Sequence, residues 1–306
     1  MPLQKQSPDL AARILHSVGQ FKGKTRLADF IGRLCSARHD GRGQFPLDRE
    51  HTVTVDLNDR IQRLMWGGAY EPHVVACLKM LLKPGDTFVD IGAHIGFFSL
   101  LVASIVGRSG RVYSFEANPR IFPVLESNAT DYPWLKPSFC AMWNKACTLG
   151  FSDPEEPGES GWGKVAAVRS EGHVVSVQAT SLDDWYDTNS VPSITLIKID
   201  AEGSEPFILE GARKALARWN PFLIMELNDT LLREVGQSTQ TLVDKLREYA
   251  YTIFSITPTK FEEVGTVPPP IPEVLCVPGE RRHEFEATVC RANIPLDTVE
   301  SGKARG

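Results

Sequence analysis

The chain is predicted to be an α/β protein with a mostly parallel sheet and helices on both faces. Three observations predict this. Short strand-like runs alternate with helix-like runs from about residue 87 to residue 256, the pattern of a parallel sheet crossed by helices. A glycine loop, Gly92-Ala93-His94-Ile95-Gly96, follows the first of those strands directly. Charged residues stand at the carboxyl ends of otherwise apolar strands, where open α/β sheets place their ligand crevice.

In chain order, Leu10, Ile14, Val18, Leu27, Phe30, Ile31 and Leu34 recur at helical spacing among basic residues and predict one or two amphipathic helices broken near Gly23. Residues 38–46 read as a loop, 51–57 as a short strand, and Glu71 to Leu82 as an amphipathic helix stopped by Lys83-Pro84-Gly85. Strands are expected near 87–91, 111–115, 138–143, 194–199, 222–226 and 251–256. The helices between them are expected near 97–106, 120–130, 205–219 and 239–249. The helix at 205–219 carries Ser204 or Glu205 as its cap, Pro206 in its first turn, and a stripe of Phe207, Ile208, Ala212, Ala215, Leu216 and Trp219. DPEEPGESGWG at 153–163 interrupts the alternation as an acidic surface loop, placed where a substrate lid is conceivable. PPPIP at 268–272 is a stiff link to a seventh strand, EVLCV at 273–277, and residues 281–306 read as a polar tail.

The stretch TFVDIGAHIGFFSL at 87–100 is the most informative. A buried strand ends near Asp90, a loop bracketed by Gly92 and Gly96 turns tightly, and an apolar helix follows, which makes a cradle for an adenine nucleoside. Dinucleotide loops need G-x-G-x-x-G so that a pyrophosphate can sit on the helix N-terminus. Here His94 replaces the middle glycine, and an acid before the loop suits a ligand with a positive amino group; both favour S-adenosylmethionine over NAD. RVYSFE at 111–116 is the next strand, and Glu116 lies twenty residues beyond Gly96, placed to accept ribose hydroxyls. NAD enzymes share that feature, and the alternative explanation is an exposed strand-end carboxylate.

ITLIKIDAEGSE at 194–205 is an apolar strand carrying Lys198, Asp200 and Glu202. Alternate residues of a strand share a face, so Lys198 and Asp200 point the same way. Unpaired charges are costly in a buried parallel strand, so these mark a site, unless the two simply neutralise each other. Asp90, Glu116, Asp200 and Glu226 are expected to meet at one crevice.

These residues carry a family resemblance. VDIGAHIGFFSL at 89–100, SFEANP at 114–119, SLDDW at 181–185, KIDAEGSE at 198–205 with LEGA at 209–212, PFLIMELN at 221–228, and GGAYE at 67–71 resemble the FkbM-type methyltransferases, a branch of the class I S-adenosylmethionine-dependent enzymes. The match covers roughly residues 50 to 255, and KIDAEG is its most specific part. Two positions depart from the family pattern: His94 stands where Asn is commoner, and Ala117 replaces the first Pro of E-P-N-P. The resemblance implies a Rossmann-like class I methyltransferase fold whose seven-stranded sheet takes back its last strand antiparallel. With the helical pattern ahead of it and the polar stretch behind it, this gives a helical accessory segment at 1–50, the S-adenosylmethionine-binding domain at 51–280 and the polar tail at 281–306. The resemblance further implies a cofactor-binding set of Tyr70, Glu71, Asp90, Gly92, Ala93, His94, Gly96, Glu116, Ala117 and Asn144, and O-methylation of a hydroxyl on a small molecule, a glycan or a polyketide-like product.

Methyl transfer from a sulfonium needs nucleophile, carbon and sulfur in line, and an alcohol acceptor needs its proton removed. Asp200 is the first candidate for base or acceptor-orienting group, with Lys198 to hold that carboxylate ionised or steady the developing alkoxide. Glu202 and Glu226 are further candidates on the same rim. His94 titrates nearest neutrality, yet its place in the cofactor loop argues for a structural or cofactor-contacting role. Asp200 with Glu226 offers oxygen ligands for Mg²⁺, but two carboxylates of unknown spacing assign no metal. Trp66, Trp162 and Trp185 are candidate acceptor walls and equally candidate core.

Composition narrows the classes. Hydrophobic content of 42% and charged content of 23% are globular values. A formal net charge of −5 without a dense Lys/Arg block disfavours a nucleic-acid partner. No signal peptide and no apolar run of membrane-spanning length is evident. Six scattered cysteines without a C-x-x-C pair fit reduced thiols and a cytoplasmic location. The sequons at Asn128 and Asn228 are read as chance. The rival functions are an NAD-linked oxidoreductase, a non-catalytic nucleoside-binding protein and, more remotely, aminopropyl transfer on the same scaffold.

Overall fold

The computed structural model describes residues 9–38, 40–48, 51–152, 163–166, 174–265 and 273–298. Residues 153–162, Trp162 among them, and the proline link at 268–272 lie outside the described residues. Two helices open the chain, α1 (Leu10–Ser17) and α2 (Lys24–Ser36), parted at Gly23 with φ +99°. A hairpin of β1 (Arg42–Pro46) and β2 (Thr52–Asp56) follows. Residues 42–46 are therefore strand where a loop is expected, because Phe45, Val53 and Val55 bury one face of the hairpin. The hairpin also crosses the expected boundary at residue 50. Next come α3 (Arg60–Trp66) and α4 (Pro72–Leu81).

The central alternation runs β3 (Thr87–Ile91), α5 (Phe97–Val106), β4 (Arg111–Glu116), α6 (Phe122–Ala129) and β5 (Leu135–Phe139). An excursion through β6 (Ala141–Trp143), β7 (Cys147–Ser152), β8 (Lys164–Ala166) and β9 (Val174–Ser181) leads to α7 (Leu182–Asn189) and β10 (Leu196–Ile199). Then follow α8 (Glu205–Glu210), α9 (Arg213–Trp219), β11 (Phe222–Glu226), α10 (Asp229–Glu234), α11 (Thr239–Glu248) and β12 (Tyr251–Ile256). The chain closes with β13 (Phe261–Glu263), β14 (Glu273–Pro278), α12 (Arg282–Arg291) and β15 (Leu296–Asp297).

The main sheet has the order β15-β13-β12-β14-β11-β10-β3-β4-β5. Strands β11, β10, β3, β4 and β5 are mutually parallel, and β14 runs antiparallel between β11 and β12, as expected for the returning strand. Nine strands replace the expected seven. One extra strand, β13, folds back antiparallel on β12; the other, β15, arises because residues 281–298 are not a polar tail. Phe285 and Val289 are buried, and Phe285 packs its ring on Phe254 and Phe261 at 5.0 and 5.4 Å. That anchors α12 and lets β15 pair with β13.

Successive strand residues alternate between two cores. Phe88, Leu196 and Phe222 join α4, α5 and the N-terminal elements on one face. Val89, Ile197 and Leu223 join α7 to α9 and α11 on the other. The expected strand at 138–143 divides after Phe139: β6 leaves the main sheet and pairs with β9 in a four-stranded sheet ordered β6-β9-β7-β8.

The single helix expected over 205–219 is two, broken at Gly211. A Cβ there would lie 2.2 Å from the Trp143 carbonyl oxygen, so the chain must be bare where the helix pair meets β6. The Asp183 carboxylate restarts α9 by accepting from Lys214 and Ala215 N–H at 3.0 and 2.9 Å. Gly211→Ala is expected to cost about 1–3 kcal/mol through overpacking, measured by urea unfolding.

The N-terminal helices invert the expected stripe. Ala12, Leu15, Ala28 and Gly32 face the protein, whereas Leu10, Ile14, Val18, Leu27, Phe30 and Leu34 are exposed. The large residues point outward because small ones are needed where α2 crosses α3: a Cβ on Gly32 would sit 2.8 Å from the Arg63 side chain.

Candidate active site

The strand order reverses between β3 and β10, since the chain builds β4 and β5 on one side and returns to place β10 on the other. Such a switch point opens a crevice beyond the strand ends. A cavity of about 250 Å³ lies there, close to the lower end of small-molecule sites at roughly 300 Å³.

The glycine loop forms its floor. Gly92 and Gly96 adopt φ +80° and +90°, and His94 adopts +52°. The amides of Gly92 and Ala93 both donate to the Phe115 carbonyl at 3.0 Å, which ties the loop to β4. The Glu116 carboxylate completes the tie by accepting from His94 N–H and Asn118 N–H, each at 2.7 Å. Burial pushes its pKa up to about 7 against the pull of those amides. Asp200 N–H donates to the Ile91 carbonyl at 3.0 Å, so the ends of β3, β4 and β10 are locked together.

The opposite wall is acidic. Lys198, buried in β10, donates to Asp200 Oδ2 at 2.6 Å and lies 4.8 Å from the Phe98 ring centroid. Burial alone would lower the lysine pKa; the carboxylates of Asp200, Glu71 and Asp90 override it and raise it. Glu202 sits at φ +49° in a turn that Glu205 supports, accepting from Ala201 and Gly203 N–H at 3.0 and 3.3 Å. Burial, followed by repulsion from Asp200, pushes Glu202 to about 9 and Glu226 to about 8. Glu71 rises to about 7, first by burial. Across the mouth His73 Nε2 pairs with Glu273 at 2.9 Å, which raises the imidazole pKa.

Of the residues expected around a cofactor, Tyr70, Glu71, Gly92, Ala93, His94, Glu116 and Ala117 line this cavity. Asp90, Gly96 and Asn144 do not. Asp90 is buried within β3 and accepts from Ser99 Oγ at 2.5 Å. Gly96 makes room for Leu125, whose Cδ1 lies 2.6 Å from where its Cβ would stand. Asn144 turns away to donate to Glu210 at 3.3 Å. All four residues expected to act in catalysis, Lys198, Asp200, Glu202 and Glu226, line the cavity. Trp66 is core, and Trp185 packs edge-on against Tyr113 and Phe115 at 4.8 and 5.0 Å.

Sequence reasoning misses Phe98, Asn118, Cys140 and Glu273 on the lining. Asn118 was within reach, two residues past Glu116 in the same motif. Glu273 opens the expected antiparallel strand, whose register sets it beside Glu226; no local pattern fixes that register.

The groups fit a nucleoside with a cationic tail. Glu71 Oε2 and Asn118 Nδ2 are buried lining atoms with no hydrogen-bond partner among the described residues, so each retains capacity for a ligand. Carboxylate oxygens of Asp200, Glu202 and Glu226 also lie within 4.8 Å of one another, close enough for one hard cation.

A switched parallel sheet with this glycine loop and strand-end acid defines a Rossmann-like methyltransferase. Residues 90–253 match the methyltransferase FkbM domain, and the chain belongs to that family. Its cofactor is S-adenosylmethionine. The hexuronic acid methyltransferase AglP of Haloferax volcanii is 28% identical over 159 residues, 52% of this chain and 62% of that protein. The 2-O-methyltransferase NoeI of Sinorhizobium fredii is 22% identical, covering 56% of this chain and 75% of NoeI. The 31-O-demethyl-FK506 methyltransferase FkbM of Streptomyces tacrolimicus is 27% identical, covering 44% and 62%. The chain thus spans about three-fifths of the length of two of these relatives.

Proposed function

We propose that this chain is an S-adenosylmethionine-dependent O-methyltransferase (transferase class 2.1.1) acting on a hydroxyl of a small molecule or glycan. One observation carries the reading: Glu116 and the glycine loop face, across a single cavity, a Lys198–Asp200 pair flanked by two raised carboxyls. The three relatives named above support the acceptor class, since their names specify a hexuronic acid, a 2-O position and a 31-O position. The acidic rim and the net charge of −5 disfavour a nucleic-acid acceptor. Six free cysteines suit a cytoplasmic location. No described helix is long and apolar enough to cross a membrane.

When bound, S-adenosylmethionine supplies a methyl group already activated on sulfonium. Glu116 orients the nucleoside end through its carboxylate. Glu71 and the neighbouring acids answer the positive end. Asp200 accepts the acceptor hydroxyl's proton, and Lys198 fixes the carboxylate that does so. Glu202 and Glu226, beside Asp200, hydrogen-bond the acceptor and set its angle of approach.

The raised carboxyls give the cofactor affinity a pH dependence. The free site holds protons on Glu71, Glu226 and Glu202 up to about pH 7, 8 and 9 respectively. A cationic ligand favours their ionised forms, so binding releases protons. Affinity is expected to rise as pH rises from 6 to 9, a window set by those values. Calorimetry in buffers of differing ionisation heat would show net proton release at pH 7; uptake would contradict the assignment.

The function itself is tested by following tritiated methyl from S-adenosylmethionine into a panel of sugars, glycans and polyketide alcohols, with and without EDTA. Label in a hydroxyl acceptor, insensitive to EDTA, is expected. Label only in amines would remove the O-methyl assignment. A rate that EDTA abolishes and Mg²⁺ restores would give the three-carboxylate cluster to a cation.

A further inference from the structure

We propose that the exposed face of the two N-terminal helices is a docking surface for an anionic membrane. On α2, Leu27, Phe30 and Leu34 are spaced one turn apart, and Phe30 and Leu34 are 60% and 51% exposed. On α1, Leu10 and Ile14 stand one turn apart and are 71% and 54% exposed. Isolated exposed apolar residues are ordinary; stripes repeated on two successive helices are not. Each helix is already seated by its opposite side, through Ala12 and Leu15 or through Ala28 and Gly32, so the outward stripes are not the faces that hold the fold.

Charge identifies the occupant. Residues 9–38 carry six Lys/Arg against two acids, in a chain whose net charge is −5. Asp9 is engaged inward, and Asp29 bridges inward to Arg63 and along the surface to Arg33. Asp9 accepts from Gln44 N–H and Trp66 Nε1 at 2.9 and 2.8 Å. Asp29 accepts from Arg63 at 2.7 Å and Arg33 at 3.1 Å. The exposed bases Arg13, Lys22, Arg26 and Arg38 meet no such partner in the segment's own acids. Arg26 lies four residues from Phe30, which makes it a neighbour on the helix surface; Arg33, three residues on, shares its charge with Asp29. An apolar stripe edged by arginine matches the boundary between anionic headgroups and acyl chains. A second copy would bring those arginines against each other, which disfavours self-pairing. The helices lie on the membrane and do not span it.

The test uses the full chain and co-sedimentation with phosphatidylcholine vesicles, with and without phosphatidylglycerol. Binding is expected only to the anionic vesicles and is expected to fall with added salt. Phe30→Ser with Leu34→Ser should weaken it by on the order of tenfold to a hundredfold. Lys22→Gln with Arg26→Gln should weaken it about fivefold per residue. Unfolding temperature and affinity for S-adenosylhomocysteine should not move, since none of these side chains touches the cavity. Absence of vesicle binding would overturn the proposal, as would binding indifferent to the Phe30 and Leu34 substitutions. A concentration-dependent dimer abolished by those substitutions would assign the face to a second copy instead.

Discussion

Asp200→Asn is expected to lower kcat about 10²- to 10⁴-fold, the range that general-base catalysis contributes. The asparagine keeps the shape and one acceptor oxygen of the side chain, so the tie from Asp200 N–H to the Ile91 carbonyl persists. Affinity for S-adenosylhomocysteine should change by only a fewfold. The loss should therefore appear in kcat and not in donor KM. The asparagine also removes the charge opposite Lys198, which Glu71 and Asp90 still face, so some stability loss is expected in either case; a merely structural Asp200 would show that loss without the fall in kcat. Unfolding and turnover measured on the same preparation separate the cases. A variant that folds normally and turns over at the wild-type rate would remove Asp200 from the chemistry.

Gly92→Ala should be the most damaging single methyl group in the protein. A Cβ at residue 92 would stand 1.8 Å from the Asp200 carbonyl oxygen and 2.8 Å from its carbonyl carbon, both backbone atoms. The backbone there is also at φ +80°, which L-residues rarely adopt. Neither strand end can yield without parting the glycine loop from β10. We expect a stability loss of about 3 kcal/mol or more and an affinity for S-adenosylhomocysteine reduced by at least about 100-fold, a loss of ~2.7 kcal/mol. Gly107→Ala is the control. It shares a positive φ, +63° with ψ −171°, but nothing lies within 4 Å of its Cβ, so only the backbone strain of about 1–3 kcal/mol remains. Similar affinity losses in both variants would mean that the packing at Gly92 is not what shapes the site.

The central sheet was legible because its strands are short apolar runs and its helices show clear start and stop residues. The helix over 97–106 falls where its apolar run places it. The crevice acids were legible for a related reason: charge at the end of a buried strand is expensive, so Lys198 and Asp200 declare themselves. What escaped lies where burial is partial. Strands β6 to β9 form a small sheet whose buried core among the described residues is Ala141, Phe151, Val177 and Ala179, and such strands lack a continuous apolar signature. The Gly211 break answers to a carbonyl nearly seventy residues earlier, which no local pattern encodes. Helical periodicity found α1 and α2 but not which face is inward, because three of the inward residues, Ala12, Ala28 and Gly32, are small and the outward ones are large. Asp90, expected as a ligand contact beside the loop, is buried in β3, which extends one residue beyond it.

The central claim is that the cradle from Gly92 to Glu116 holds the nucleoside of S-adenosylmethionine beside the Asp200 cluster. Titration calorimetry of the wild-type chain and of Glu116→Ala with S-adenosylhomocysteine, with NADH in parallel, tests it most directly. The account expects saturable one-to-one binding of S-adenosylhomocysteine, weakened by on the order of tenfold or more in the variant, and no heat from NADH. Binding of NADH alone, or S-adenosylhomocysteine affinity unchanged by loss of the Glu116 carboxylate, would contradict it.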